Sequence, residues 1–491
     1  MFNRLKKMET QSLAHGRACV ARSKAARSRT RTLVAAGWLA GAVLVGQQPD
    51  APPQAAAQVN PTPIESQEEN LLDFRGPGIP NPGIGDIGAR GGDRNQLRYH
   101  AGANFIWDNS LLPDTLSASG QLVPAKDVIG GELSWGVYGV HSSRRYQLAL
   151  DYMGDYHQYD TGGIYNGSDQ GLRLGFTVRA SRRVAFDFRQ GLGSYRFGNS
   201  LIATSLSSDP NSPVTPDAKL LDDREYYVQS AGYLTYILSA RSTFTVGGQG
   251  IFQELKTPTV SKGYGYTLTG SYQRRITRSV SAGFNYSYAD YEFAAGTSGS
   301  ATNSVRATYA QGFGHNWTLA VQAGVSRSKI HSIVVVPLTP EAAVVYGFTS
   351  FRVPLQQTTY SPDGMLELRR KFARSSLGIS YLTGVASEFL LNGTTKRQSG
   401  QIGYSYFANR RTSFGLTGGY YGTKVIGQAA TAYYQISGNA SVSYLLARGM
   451  YLNANYMLRD QQVNVSGYKR NGSRVTVGVT FSPGKLPFSP W

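Results

Sequence analysis

Between Leu97 and Phe481 bulky residues alternate with small or polar ones, and short basic breaks interrupt the alternation again and again. In "YFANRRTSFGLTGGYY" (Tyr406–Tyr421), Phe414, Leu416, Gly418 and Tyr420 fall on one side of an extended strand. Ser413, Gly415, Thr417, Gly419 and Tyr421 fall on the other, because successive side chains of a strand point to opposite faces. The period is two, not 3.6. The break at Ala408–Arg411 carries a turn-forming Asn and is short enough to join antiparallel neighbours, so the stretch predicts a hairpin.

Breaks of the same kind start at Ser142 (SSRR), Ser181 (SRR), Ser239 (SARS), Arg274 (RRITRS), Gly314 (GHN), Arg369 (RRKFARSS), Ala408 (ANRR) and Leu446 (LARG). Most successive starts lie about 35 to 40 residues apart, the length of two strands of roughly 10 to 13 residues, one tight turn and one longer loop. Drawn out, the pattern predicts eighteen strands, from Leu97–Trp107 to Arg474–Phe481, with sixteen as the alternative and Met365–Arg370 the shortest. Eight tight breaks and nine longer loops put both ends of the wall on the tight-turn side. A β-propeller also repeats near this length, but its blades hold four short strands instead of two long ones.

The two faces decide what surrounds the strands. Around Leu97–Trp107 the set Leu97, Tyr99, Ala101, Ala103, Phe105 and Trp107 opposes Arg98, His100 and Asn104. In Tyr146–Gln158, Tyr146, Leu148, Leu150, Tyr152 and Tyr156 oppose Gln147, Asp151, Asp155 and His157. Charges avoid the apolar face. An Arg or Lys facing lipid at mid-membrane costs about 2 to 4 kcal/mol, whereas a wet interior tolerates it. The expected fold is therefore an all-β, transmembrane, antiparallel up-and-down β-barrel with apolar residues outside. Strands of about 10 residues, tilted near 40°, span an apolar layer of about 25 Å.

Composition agrees. Only 16% of the 491 residues are charged, against about 25% in an ordinary soluble protein, while Gly (57) and Tyr (32) are heavily used. Cys19 is the one cysteine, so neither disulfides nor thiolate metal sites are expected, and the residues suggest no cofactor.

Residues 1–57 read as an export signal. "RSRTRT" precedes the fourteen mostly apolar residues Leu33–Gly46, too few to span a membrane as a helix, and Ala55–Ala57 offers an A-x-A cleavage site. Residues 58–96, rich in Pro and Gly, are expected to form a periplasmic tether or small insert, and 97–491 the outer-membrane barrel. The formal charge of +19 belongs partly to the leader, whose nine Lys or Arg face only Glu9 and Asp50. The remaining basic residues cluster at turns instead of interleaving with stacking aromatics, which argues against nucleic acid as a partner.

The Arg-turn followed by "SSLGISYL" or "TSFGLTGGYY", with the closing strand "SRVTVGVTFSPG", resembles Gram-negative outer-membrane β-barrel proteins, especially barrels encoded with exopolysaccharide secretion systems. The resemblance implies outer-membrane lipid and the barrel-assembly machinery as partners. It also implies an aromatic residue near the C-terminus as the assembly signal, for which Phe481 and Trp491 both qualify.

A barrel of this size can enclose an aqueous channel. The expected function is passage of hydrophilic solutes, with no enzyme activity. Expected pore-lining residues are Arg98, Arg173, Arg179, Arg189, Arg306 and Arg474, with Asp151, Asp155 and Asp187 as counter-charges. A surplus of arginine favours small anions and acidic saccharides, and the alternative reading of the same residues is a solvated, mutually paired lining with no selectivity. The competing readings are a structural or adhesive barrel without an open pore, and an outer-membrane hydrolase using Asp155 and His157 of "DYHQYD" as a proton-transfer pair. Three long loops stand out: Asp108–Asp127, Gly198–Asp223 and Ile330–Ser361. The last holds "SIVVVPLTPEAAVVYGF", too apolar for a fully solvated loop, with "PEAAVVYG" as a short helix; inward folding as a constriction is the favoured expectation, packing over the rim or a contact surface the alternatives.

Overall fold

The structure is a computed structural model that describes residues 95–109, 111, 115–116, 122–123, 126–143, 145–161, 166–195, 224–255, 262–293, 298–314, 316–337, 350–388, 393–409, 411–426, 432–463, 469–482 and 486–487. The predicted leader, most of the tether, the loop Gly198–Asp223, the segment "PEAAVVYG" and Trp491 lie outside them.

The alternating segments form β1 (Asn95–Asp108), β2 (Val128–Ser142), β3 (Tyr146–Tyr159), β4 (Gly167–Arg179), β5 (Val184–Tyr195), β6 (Glu225–Ser239), β7 (Ser242–Leu255), β8 (Gly263–Arg275) and β9 (Val280–Phe293). They continue as β10 (Ser298–Phe313), β11 (Trp317–Pro337), β12 (Ser350–Lys371), β13 (Ser375–Glu388), β14 (Gly393–Phe407), β15 (Thr412–Val425), β16 (Ala432–Ala447), β17 (Met450–Val463) and β18 (Lys469–Phe481). Each pairs antiparallel with its neighbours in sequence, and β1 pairs with β18 from Ala101↔Phe481 to Asp108↔Arg474. The result is a closed, eighteen-stranded, all-β barrel.

Side chains reinforce this closure on the inside. Arg459 Nη2 of β17 donates to Asp108 Oδ2 of β1 at 3.2 Å, and Arg474 Nη2 of β18 donates to Glu132 Oε2 of β2 at 3.2 Å. Each pair skips one strand across the seam. Stepping from partner to partner once round the wall from Ala101 returns to β1 about 22 positions away. With ordinary strand spacing and rise, that stagger gives a tilt of about 40° and a circular section of roughly 36 Å between backbones.

Parity sorts the faces as the sequence predicts. Phe105, Leu133, Leu148, Phe188, Leu234, Val246, Leu268, Phe284, Val305, Leu366, Tyr381, Ile402, Leu416, Ile436, Leu458 and Val477 are exposed on the outside, an apolar surface that continues round the wall. Contiguous patches of this size on a protein surface mark contact with lipid or another apolar partner. Among the described residues, charged side chains of outward parity keep to the two ends. Arg274 and Arg370 sit by the tight turns, while Glu254, Asp290, Glu292, Arg327, Lys329, Lys396, Lys424, Asp460 and Lys469 sit toward the loops. Aromatic pairs ring the tight-turn end: Tyr99 with Phe481, Tyr272 with Phe284, Phe313 with Trp317, and Tyr406 with Phe414. The Arg370 guanidinium lies 4.7 Å from the Trp317 ring centre and 4.2 Å from that of Phe372. An aromatic girdle capped by basic turns is the pattern of a membrane interface.

Glycine has a packing role inside. A Cβ on Gly265 would stand 2.1 Å from Tyr291 Cδ1 and 2.5 Å from the Asp290 carbonyl oxygen, because the inward Tyr291 ring lies across that glycine. Tyr227 lies over Gly193 and Tyr233 over Gly247 in the same way.

One expectation fails. The described parts of Ile330–Ser361, residues 330–337 and 350–361, are not a loop folded into the lumen: β11 and β12 pair continuously from Trp317↔Arg370 to Pro337↔Ser350, and 338–349 lie outside the described residues. β10 reaches only Ser332 of β11, and β13 pairs with β12 only from Gly364 to Lys371. The far part of the hairpin therefore stands beyond the wall as a two-stranded ribbon, with Ile333, Phe351, Val353 and Leu355 exposed. β-branched residues such as Ile333, Val334, Val335 and Val336 are strand formers, and pairing satisfies their backbone without any need for the lumen.

Two substitutions test this fold. Gly265→Ala is expected to lower unfolding stability by about 1 to 3 kcal/mol, since the backbone carbonyl at 2.5 Å cannot move aside, while Gly270→Ala, with open space around it, is expected to be neutral. Val305→Arg, at the middle of the apolar belt, is expected to cost about 2 to 4 kcal/mol. Urea titration of the lipid-reconstituted barrel checks both.

Candidate functional site

All nine predicted interior residues have inward parity, but they differ in depth. Asp151, Asp155, Arg173, Arg189 and Arg306 are buried, whereas Arg98, Asp187 and Arg474 are half-buried and Arg179 is exposed beside a tight turn. Burial deepens toward the loops at many positions, although Glu367, Ser405, Ser413, Ser443 and Thr480 near the tight-turn end are buried as well. Inward residues toward the loops, such as Gln229, Gln253, Thr267, Thr302 and Asp363, are buried, while Thr177, Thr235, Gln273, Thr308 and Gln322 nearer the tight turns are not. The interior is therefore packed in its loop half and wetter in its tight-turn half. Two apolar groups add to the packing at the loop end: Ile106, Leu111, Val128 and Tyr159, and Ile251, Ala289, Tyr291 and Phe293. Leu111 belongs to the predicted loop Asp108–Asp127, which thus places at least this side chain inward. β10 and β14 come within 8 Å of one another by Cα, although three strands separate them round the wall.

The densest group of charges is assembled by register on β2, β3 and β4. Glu132 stands directly across from His157, and Asp155 directly across from Asp169. Glu132 accepts from Asn104 Nδ2 at 2.9 Å and from Arg474. The His157 ring lies between carboxylates, with Nδ1 3.3 Å from Glu132 Oε2 and Nε2 2.7 Å from Asp155 Oδ1 and 4.0 Å from Asp169 Oδ2. Its flat side stacks on Tyr159, rings 13° from parallel. Arg224 Nη2 is 4.0 Å from Asp169 Oδ1, and Arg224 Nη1 donates to the Ser168 carbonyl and Ser194 Oγ.

Further down the same wall Asp151 faces Arg173 across β3 and β4, Oδ2 to Nη1 4.0 Å. On β5, Arg189 Nε donates to Asp187 Oδ1 at 2.7 Å, and Thr177 Oγ1 donates to Asp187 Oδ2 at 2.8 Å. On the far side Arg306 Nε donates to Asp363 Oδ2 at 3.1 Å and its Nη2 to Ser287 Oγ at 2.9 Å, while Ser326 Oγ also donates to Asp363. These contacts tie four strands, β9 to β12, together. Each predicted arginine with a described ion pair thus meets a carboxylate, and the lumen is a lattice of paired charges.

Sequence reasoning missed Glu132, Asp169, Arg224, Arg459 and Asp363. Asp169 lies just outside the predicted strand Gly171–Ala180, although the "SDQGLRLGF" alternation does extend back to it, whereas Arg224 opens the predicted strand Arg224–Leu238. The parity of Glu132 was readable from Ile129, Leu133 and Val137.

No family model and no curated protein matches this sequence. Solved structures that resemble the barrel include the outer membrane protein OpdK of Pseudomonas aeruginosa, 9% identical over 79% of this chain and 98% of that one, with a TM-score of 0.41. A BenF-like porin of Pseudomonas fluorescens Pf-5 is 12% identical over 80% and 99%, with a TM-score of 0.42. Pseudomonas aeruginosa OccK2 (OpdF), in complex with glucuronate, is 11% identical over 79% and 98%, with a TM-score of 0.41.

Removing Arg306 would leave Asp363 charged, buried and without its guanidinium. Arg306→Ala is therefore expected to cost about 3 to 5 kcal/mol, and Arg306→Ala combined with Asp363→Ala clearly less than the sum of the two single changes. A double-mutant cycle read by urea unfolding checks this.

Proposed function

We propose that this chain is an outer-membrane channel for small hydrophilic solutes, with anionic ones, acidic saccharides among them, preferred. The observation that carries the reading is the division of the wall: an uncharged apolar belt outside, and an inside lined with paired Arg and Asp or Glu that narrows toward the loops. Arg98, Arg179 and Arg189, which lie in or next to the wetter part, supply the positive field that attracts anions. In this reading the chain is exported, folded by the barrel-assembly machinery and surrounded by outer-membrane lipid. The likeness of its turns to those of barrels associated with exopolysaccharide secretion supports an acidic saccharide as the solute.

A second reading, a structural or adhesive barrel without an open pore, is favoured by the packed loop half and by the apolar ribbon beyond the wall. Conductance separates the two. Purified protein in a planar bilayer is expected to give discrete current steps, with a reversal potential in a KCl gradient displaced toward that of chloride. Arg98→Gln with Arg189→Gln is expected to move it toward potassium. Folded protein that gives no steps would contradict the channel and leave the adhesive barrel.

A further inference from the structure

The charge cluster on β2 to β4 has the geometry of a ligand set. Asp155 and Asp169 are direct cross-strand partners on the inward face, at 4% and 2% exposure. Like charges placed opposite one another destabilise a sheet, and burial enlarges the penalty unless a cation lies between them. His157, two residues from Asp155 on the same face and 6% exposed, turns its ring into this gap.

We propose that Asp155, His157 and Asp169 bind a divalent transition-metal cation of the zinc class on the inner wall of the barrel. One atom from each comes within 4.8 Å of the other two. Two ligand atoms held tetrahedrally at zinc stand about 3.4 Å apart, and the His157 Nε2 separations of 2.7 Å from Asp155 and 4.0 Å from Asp169 bracket that value. Although oxygens lie so close, neither ring nitrogen of His157 makes a hydrogen bond of proper geometry.

The surroundings fit this role. Nδ1 faces Glu132 Oε2, and Glu132 is itself held by Asn104 and Arg474, so a carboxylate stands behind the imidazole as it does behind metal-binding histidines. One nitrogen and two carboxylate oxygens suit zinc, cobalt or manganese better than copper(I) or other thiolate-seeking ions. The site rests on these three side chains and does not depend on the barrel conducting.

The test uses the folded barrel in detergent, stripped with EDTA and dialysed. Cobalt(II) titration is expected to give the visible absorption of a nitrogen- and oxygen-ligated ion, displaced by zinc at one ion per chain by elemental analysis. His157→Ala and Asp169→Asn are expected to abolish the signal, Glu132→Gln to weaken affinity about tenfold, and His331→Ala, at the rim of the outer face, to leave it unchanged. Heat-modifiable gel mobility establishes that each variant is folded, and His157→Gln replaces His157→Ala should the latter fail to fold. Absence of cobalt absorption in the folded wild type, the result expected of an imidazolium salt link, would overturn the proposal. Binding undiminished in the folded His157 variant would overturn it equally.

Discussion

A strand that crosses hydrocarbon must find a partner for every backbone N–H and C=O, because no water is there to supply one. An open sheet leaves two edges unpaired; a closed one leaves none. The β1–β18 ladder is therefore the interaction on which this molecule depends. It explains why the strand number is even, why both ends of the wall lie on the tight-turn side, and why Arg459–Asp108 and Arg474–Glu132 bridge the strands flanking the seam. Once closed, the wall has an inside and an outside, and period two assigns each residue to one of them.

The interior then has to be made polar without leaving charge stranded. The register does this strand by strand: Asp151 against Arg173, Asp187 with Arg189 and Thr177, Arg306 with Asp363 and Ser326. Large inward rings are accommodated over glycines, as Tyr291 is over Gly265, which gives part of the heavy glycine usage a spatial cause. In the loop half these groups pack together with two apolar clusters, so the width set by strand number and stagger is an upper bound on the passage.

Face assignment was legible from residues alone, because parity survives errors of two or three residues in a boundary. The inward placement of Asp155 and His157, and of all nine predicted interior residues, follows from that. Partnerships were not legible. Whether Asp155 meets Asp169 or Gly171 depends on a register fixed by turn and loop geometry, and a shift of two residues would give a different cluster with the same parity. Ile330–Ser361 was misread for a related reason. Its apolar run suggests a loop seeking burial, whereas extended pairing between β11 and β12 satisfies the backbone of the described residues first.

The arrangement of apolar outside and wet inside can be measured directly, since Cys19 is the single native cysteine. In a Cys19→Ser background, cysteines placed one at a time at Phe284, Asn285, Val305, Ala307 and Thr308 would be exposed to a membrane-impermeant maleimide after reconstitution into liposomes. The account predicts rapid labelling at 285 and 308 and protection at 284, 305 and 307. Equal labelling at all five positions, or the reverse pattern, would contradict it.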